Sequence, residues 1–205
     1  MVRMSAANRP DGRRARGDRT RLRVADAAAQ TATVHGLDAI TIGGLATDTG
    51  VSKSGILTVF GSREAIQLAA VARARELYRD HVIAPAWSRP PGRERLRGWI
   101  DAWRDYLRER VFAGGCFVTT TSAEYGHRDG PVAEEIRLLK TDWLDLLRAD
   151  LRTAGSPDAD LDAFRIDAYL SAAATRRELF ADEEIVDRAR SLALAIVDAP
   201  HPPPS

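Results

Sequence analysis

The sequence is poor in cysteine and lysine: it has one cysteine, Cys116, and two lysines, against 28 arginines. A single thiol cannot form a disulfide within the chain, so we expect a reducing, cytoplasmic environment. No segment approaches the ~20 consecutive apolar residues of a membrane span, and the polar, arginine-rich residues 1–20 are unlike a secretory signal. We therefore expect no membrane partner. The excess of arginine and alanine is typical of a GC-rich bacterial genome.

Sequence motifs of enzymes and metal sites are also missing. The four histidines are scattered, without the paired spacing that a metal site needs. No glycine-rich nucleotide-binding loop or nucleophile elbow occurs. The acidic residues 134–135 and 182–184 begin predicted helices, where acids complement the helix dipole. We expect no metal, no cofactor and no enzymatic activity.

Charge is distributed unevenly along the chain, although the net charge is only +1. Residues 1–63 carry a net charge of +5, and residues 64–205 carry −4. A basic head on a mildly acidic body is typical of a protein that binds nucleic acid. Residues 1–19 hold six arginines among few apolar residues, which predicts a disordered basic arm. The arm is either a solvated tail or an extra contact to phosphate or the minor groove.

From residue 20 onward, apolar residues recur at helical spacing, with glycine and proline at the breaks and no sustained strand alternation. The pattern predicts an all-α fold with an N-terminal part of three helices and a larger C-terminal helical part. The predicted divisions are the arm at 1–19, the three-helix part at 20–66, the larger helical part at 67–198 and a tail at 199–205. The predicted helices cover 20–34, 41–49, 52–60, 63–86, 93–112, 116–125, 131–154, 159–180 and 183–197.

Residues 41–60 have the pattern of a helix-turn-helix. Leu45 gives the first helix an apolar side, Gly50 permits a left-handed turn, and Ile56 and Phe60 anchor the second helix. The other face of the second helix is short and polar, so it can enter a major groove about 12 Å wide. A plain helical hairpin with a solvated polar face would have the same spacing.

The surroundings of this motif resemble the TetR family of transcriptional regulators. The resemblance covers residues 20–75 well and the C-terminal half more loosely. The similar segments are 23–28 in the first helix, the link 36–41, 51–56 in the recognition helix, and the junction 60–64.

The sequence departs from the family pattern at several positions. The family usually has an aromatic residue where Leu57 stands and often a histidine where Val59 stands. The pair Thr31-Ala32 replaces a larger pair at the end of the first helix, and Gly43-Gly44 is unusual near the start of the second. These departures bear on DNA affinity more than on the fold.

The resemblance implies that residues 20–66 are a helix-turn-helix DNA-binding domain and that residues 67–198 are a regulatory domain for ligand binding and dimerisation. It implies a ligand-responsive repressor that binds a palindromic double-stranded operator as a homodimer. A small-molecule effector would release it by moving the helix predicted at 63–86. The alternatives are a helical interaction protein with a vestigial helix-turn-helix and, less favoured, a small α-helical enzyme. The residues assigned to DNA are Lys53, Ser54 and Thr58 for bases, Gly55 for close approach, and Thr41, Ser52, Ser62 and Arg63 for phosphates.

Two further sites are predicted in the C-terminal half. Aromatic residues at helical spacing there indicate either core packing or an effector cavity, and Cys116 is either a small buried residue or a redox sensor. The candidate pocket residues are Trp99, Trp103, Tyr106, Cys116, Phe117, Thr120, Trp143, Leu147 and Phe164. Stripes of apolar and small residues on the last two helices either pack on the rest of the monomer or form a two-fold, four-helix dimer interface. Its candidate residues are Ala168, Ala172, Thr175, Leu179, Ile185, Ala189, Leu192 and Ile196.

Overall fold

The structure is a computed structural model that describes residues 12–200. These residues form helices and no strand, which confirms the all-α prediction. A 3₁₀ turn at Leu37–Ala39 follows the first helix, and a π-helical segment at Arg79–Ile83 follows the fourth. The α-helices are α1 (Gly12–His35), α2 (Ile42–Thr49), α3 (Lys53–Phe60), α4 (Arg63–Tyr78), α5 (Ala84–Trp87), α6 (Arg93–Arg108), α7 (Phe117–Tyr125), α8 (Pro131–Thr153), α9 (Ala159–Phe180) and α10 (Glu184–Asp198).

Helix α1 begins earlier than the sequence predicted. Residues 12–19, assigned to a disordered arm, form its first two turns. No proline follows Pro10 in this region, and arginine is a good helix former. The helix can therefore extend N-terminally beyond the apolar stripe. The remainder of the predicted arm, residues 1–11, lies outside the described residues, as do residues 201–205 of the predicted tail.

Helices α1, α2 and α3 form an N-terminal three-helix unit, the head, around a small apolar core. Ala28, Ala29 and Ala32 of α1 are buried completely, and their small side chains bring α1 close to Leu45 and Ile56. This close packing replaces the bulk that larger residues would supply at the end of the first helix.

Three hydroxyl caps set the starts of the helices around the turn. The side chains of Thr41, Ser52 and Ser62 accept hydrogen bonds from backbone amides at the starts of α2, α3 and α4. Gly50, with φ of 66°, makes the left-handed turn between α2 and α3. The local sequence therefore fixes the helix-turn-helix.

Helix α4 connects the head to the larger C-terminal helical unit, which we call the body. It packs against α1 of the head and against α8 of the body. The sequence predicted one helix over 63–86, but the π segment Arg79–Ile83 interrupts it. Pro85 lies just beyond and has no amide hydrogen to donate to the preceding turn, and its ring crowds that turn. A wider π turn relieves this crowding, and such turns often occur at functional sites.

The body packs α6, α8, α9 and α10 together around aromatic side chains. Trp99 of α6 is fully buried, and its indole N–H donates a hydrogen bond to the carbonyl of Ile83 at 3.2 Å. Tyr78 meets Tyr106 and Trp143 edge-to-face, with ring centroids 5.6 Å and 5.7 Å apart. Within the described residues, no helix is long and apolar enough to cross a membrane.

Candidate nucleic-acid interface and effector cavity

The outer face of α3 is polar and exposed. Lys53, Ser54 and Thr58 point away from the core, whereas Ile56 and Phe60 are buried. A side chain at position 55 would crowd the cap of α3, because a Cβ on Gly55 would lie 3.1 Å from Oγ of Ser52. The amide of Gly55 donates to that same oxygen at 3.1 Å. The outer face of α3 therefore carries hydrogen-bonding groups and no acidic side chain.

The start of α2 lies beside this face. A Cβ on Gly43 would lie 3.7 Å from Cε and Nζ of Lys53, so the lysine side chain runs along the first turn of α2. The amide of Gly44 donates to the Thr41 hydroxyl at 3.0 Å. A cation and a helix N-terminus thus meet, and both favour an anion such as a phosphate.

Arginines of α1 border the same surface. Arg16, Arg19 and Arg23 line a shallow groove that also includes Val51, the elbow residue before α3. Sequence reasoning placed Arg16 and Arg19 in the arm and did not select Arg23. Arg21 instead supports α3, because its guanidinium donates to the carbonyl of Val59 at 3.0 Å and stacks over Phe60. The sequence analysis did not extend α1 through Arg16 and Arg19, so it did not place these arginines on the helix beside Val51.

Arg63 is engaged inside the head. Its guanidinium donates to the carbonyl of Ile40 at 3.0 Å and also bonds to Asp38. It therefore holds the 36–41 link against the start of α4, and its assigned phosphate contact remains a prediction. Ser62 is exposed, with its hydroxyl accepting from the amide of Ala65 at 3.1 Å.

The last turn of α7 holds the head through the 3₁₀ turn. The Glu124 carboxylate accepts hydrogen bonds from the amides of Leu37 and Asp38, at 2.8 Å and 2.9 Å. The Tyr125 hydroxyl donates to Asp38 at 3.1 Å, and Arg128 pairs with the same carboxylate. The Arg128 guanidinium holds the pKa of Asp38 below its usual value, and burial raises the pKa of Tyr125 to about 12.

A second set of hydrogen bonds joins α1 to the loop before α7. The Gln30 side chain donates to the carbonyl of Val111 at 2.8 Å and accepts from the amide of Ala113 at 2.9 Å. The amide of Gly114 donates to the Thr33 hydroxyl at 3.1 Å. These bonds satisfy the loop backbone and fix the position of α1 against the body.

A cavity of about 220 Å³ lies in the body, between α4 with its π segment and helices α6, α7, α8 and α9. The first turn of α7 forms part of its wall, through Val118 and Thr119. Three of the nine predicted pocket residues line it: Trp103, Cys116 and Trp143.

The other six predicted pocket residues do not line this cavity. Four are buried in the core, and Thr120 lines a separate cavity near the end of α9. Phe164 is 66% exposed, because it lies on the outer side of α9. The four core residues are Trp99, Tyr106, Phe117 and Leu147.

Polar residues that sequence reasoning did not select also line the cavity, among them Lys140, Asp167 and Ser171. Lys140 is one of two lysines, which was a signal in the sequence, but its partner Asp167 lies 27 residues away on another helix. Burial raises the pKa of Tyr78 well above its usual value, so this lining residue presents a neutral phenol.

On α9, most residues of the predicted dimer interface are exposed to solvent. Ala172, Thr175 and Leu179 are exposed, with Leu179 at 70%, and Ala168 is half-buried. On α10, Leu192 is exposed and Ile185 and Ile196 are half-buried. Ala189 differs from the others, because it is buried within the chain, where its small side chain packs into the core.

The fold and sequence were compared with known proteins. The family described as "Tetracyclin repressor-like, C-terminal domain" matches residues 92–193. A TetR transcriptional regulator from Chloroflexus aurantiacus J-10-FL is 26% identical, with a TM-score of 0.81 over 90% of this chain and 97% of that one. The chain belongs to the TetR family. It is accordingly a DNA-binding transcriptional regulator.

Other solved structures share the fold at lower sequence identity. A regulator from Streptomyces coelicolor is 20% identical, with a TM-score of 0.77 over 89% of this chain and 95% of that one. AibR, solved with isovaleryl coenzyme A and operator DNA, is 17% identical, with a TM-score of 0.66 over 85% and 98%. No curated protein sequence matches this chain.

The departures from the TetR pattern have local consequences in the structure. Leu57 is exposed on α3, where it offers a phosphate no hydrogen bond, whereas Val59 is half-buried against the core. Gly44 preserves the Thr41 cap, because a Cβ there would lie 3.2 Å from the Thr41 hydroxyl oxygen. Leu57 therefore adds no hydrogen-bonding group to the exposed polar face of α3.

Proposed function

We propose that this TetR-family regulator is a repressor that binds a palindromic operator as a homodimer and is released by a small molecule in the body cavity. The observation that carries the proposal is the meeting of Lys53, the start of α2 and the polar face of α3 on one exposed surface. Oriented amides and a cation favour phosphate, and short polar side chains fit the major groove.

Several observations support the regulatory part. The cavity is bounded by α4, which also packs against α1 of the head. It is also bounded by α7, whose last turn holds the 3₁₀ turn of the head. The AibR structure contains both an acyl coenzyme A and operator DNA, so one protein of this fold binds both kinds of ligand. A ligand that fits the cavity in one arrangement of α4 and α7 would favour that arrangement of the heads.

Lys53→Ala should weaken specific operator binding by roughly 1–3 kcal/mol, because the side chain lies where a base or phosphate would bind. The operator is first selected from a random duplex library with the wild-type protein, and affinities are then measured by fluorescence anisotropy at several salt concentrations. Arg188→Ala is the matched control, since it removes one positive charge from an exposed position on α10, far along the chain from the head. Equal affinities for wild type and Lys53→Ala would contradict the assignment. Absence of any salt-dependent DNA binding would instead favour the helical interaction protein.

Leu179→Glu should convert a dimer into monomers, because it would place an unpaired charge in the α9 face of the interface. Leu138→Glu is the matched control, since Leu138 is also an exposed leucine but lies on α8. Light scattering coupled to size exclusion at micromolar protein measures both. A wild-type monomer contradicts the dimer itself, and a dimer that survives Leu179→Glu contradicts this choice of interface.

A further inference from the structure

One ion pair dominates the polar wall of the body cavity. Nζ of Lys140 on α8 lies 2.6 Å from Oδ1 of Asp167 and 3.3 Å from Oγ of Ser171, both on α9. The two charged side chains are only 29% and 15% exposed. Two of the three ammonium hydrogens are thus used within the protein, and one carboxylate oxygen already has its cation. The pair is partly shielded from water and is electrically balanced.

The other charged residues of the cavity are also paired, nearer to solvent. Arg75 pairs with Asp142 and Glu135, and Arg79 pairs with its neighbour Asp80. These side chains are more exposed than Lys140 and Asp167, so water screens them. Every charged lining residue therefore has a partner of opposite sign among the described residues.

The rest of the wall is aromatic and aliphatic. Trp103, Trp143 and Tyr78 supply ring surface, and Leu139 and Leu170 supply aliphatic surface. The volume, about 220 Å³, is below the ~300–1,000 Å³ of typical drug-sized sites, so the cavity suits a small molecule. A bound ion would lose its hydration here without gaining an unpaired counter-charge.

We propose that the cavity binds an uncharged molecule with an aromatic or alicyclic body and one polar group, such as an amide or hydroxyl, and that the Lys140–Asp167 pair sets this preference. The remaining ammonium hydrogen can donate to that group, and the second carboxylate oxygen of Asp167 can accept from it. The inference rests on the proposed function in taking the cavity as the effector site.

Three probes of nearly the same shape test the charge preference: 4-propylbenzamide, 4-propylbenzoate and 4-propylbenzylamine. Binding is followed by quenching of tryptophan emission, because Trp103 and Trp143 line the cavity. The neutral amide should bind at least tenfold more tightly than either ion. Equal or tighter binding of an ion overturns the proposal, and so does failure of all three probes to bind.

Two variants make the test independent of folding defects. Asp167→Asn leaves the lysine unpaired and should make the carboxylate the tightest ligand. Lys140→Met leaves the aspartate unpaired and should make the amine the tightest ligand. Arg97→Met, which removes a charge from α6 outside the cavity lining, should leave the wild-type order unchanged. A misfolded cavity would weaken all three probes and could not reverse the order in opposite directions.

Operator binding by the same wild-type sample separates this inference from the proposed function. Protein that binds DNA but prefers an ion overturns the inference alone. Protein that prefers the amide, shows the two reversals and fails to bind DNA overturns the proposed function alone.

Discussion

Gly114→Ala should destabilise the protein by roughly 3 kcal/mol or more, because overpacking against rigid backbone is costly. A Cβ at this position would lie 2.8 Å from the backbone nitrogen of Val34 and closer still to the carbonyl group of Thr33. Neither atom can move without shifting the last turn of α1. The free energy of unfolding is measured by urea denaturation followed by circular dichroism.

The matched control is a glycine that stands in open space. Gly17 lies within α1, and no atom lies within 4 Å of the position that its Cβ would occupy. Gly17→Ala should stabilise the protein by up to ~1 kcal/mol, as expected for alanine in a helix. If the two alanine variants had similar stabilities, the close contact between the 110–114 loop and α1 would be contradicted.

Arg95→Met should cost about 3–5 kcal/mol of unfolding free energy, because it leaves a buried carboxylate without its cation. Arg95 on α6 donates two hydrogen bonds of 2.6 Å to Asp150 on α8, which is only 1% exposed. The guanidinium also lies over the rings of Trp87 and Trp99, at 4.9 Å and 5.3 Å from their centroids. This one side chain therefore joins α6 to α8 and to the end of α5.

A double variant separates loss of the ion pair from loss of packing. Arg95→Met combined with Asp150→Leu should recover most of the stability, because apolar replacements of a whole buried pair are often neutral. Arg97→Met is the control on the same helix, and its exposed pairing with Asp198 predicts little change. A double variant no more stable than Arg95→Met would show that the stacked guanidinium matters more than the ion pair.

The helices could be predicted because their signals are local. Thr41, Ser52 and Ser62 cap their helices through the next few amides, and Gly50 makes its turn within four residues. Apolar spacing then fixes the buried side of each helix. The π segment was missed because helical spacing alone does not show how Pro85 is accommodated.

The cavity could not be predicted because it depends on packing between distant segments. Trp99 and Trp103 share one stripe of α6, yet Trp99 is core and Trp103 lines the cavity. Periodicity gives the side of a helix but not where two neighbouring helices leave a gap. The same limit applies to α10, where Ala189 faces inward although it shares a stripe with the exposed Leu192.

Helix α7 has a quantitative consequence for how the protein responds in a cell. Its first turn lines the cavity and its last turn contacts the head, so under the proposed function one short helix would connect the effector site to the DNA-binding surface. Thermodynamic linkage requires that any factor by which an effector weakens operator binding is matched when the operator weakens effector binding. Under the proposed function, the apparent effector affinity would then fall as more of the protein is held on DNA. The effector dose that opens a promoter would rise with the number of operator copies, without any change in the protein.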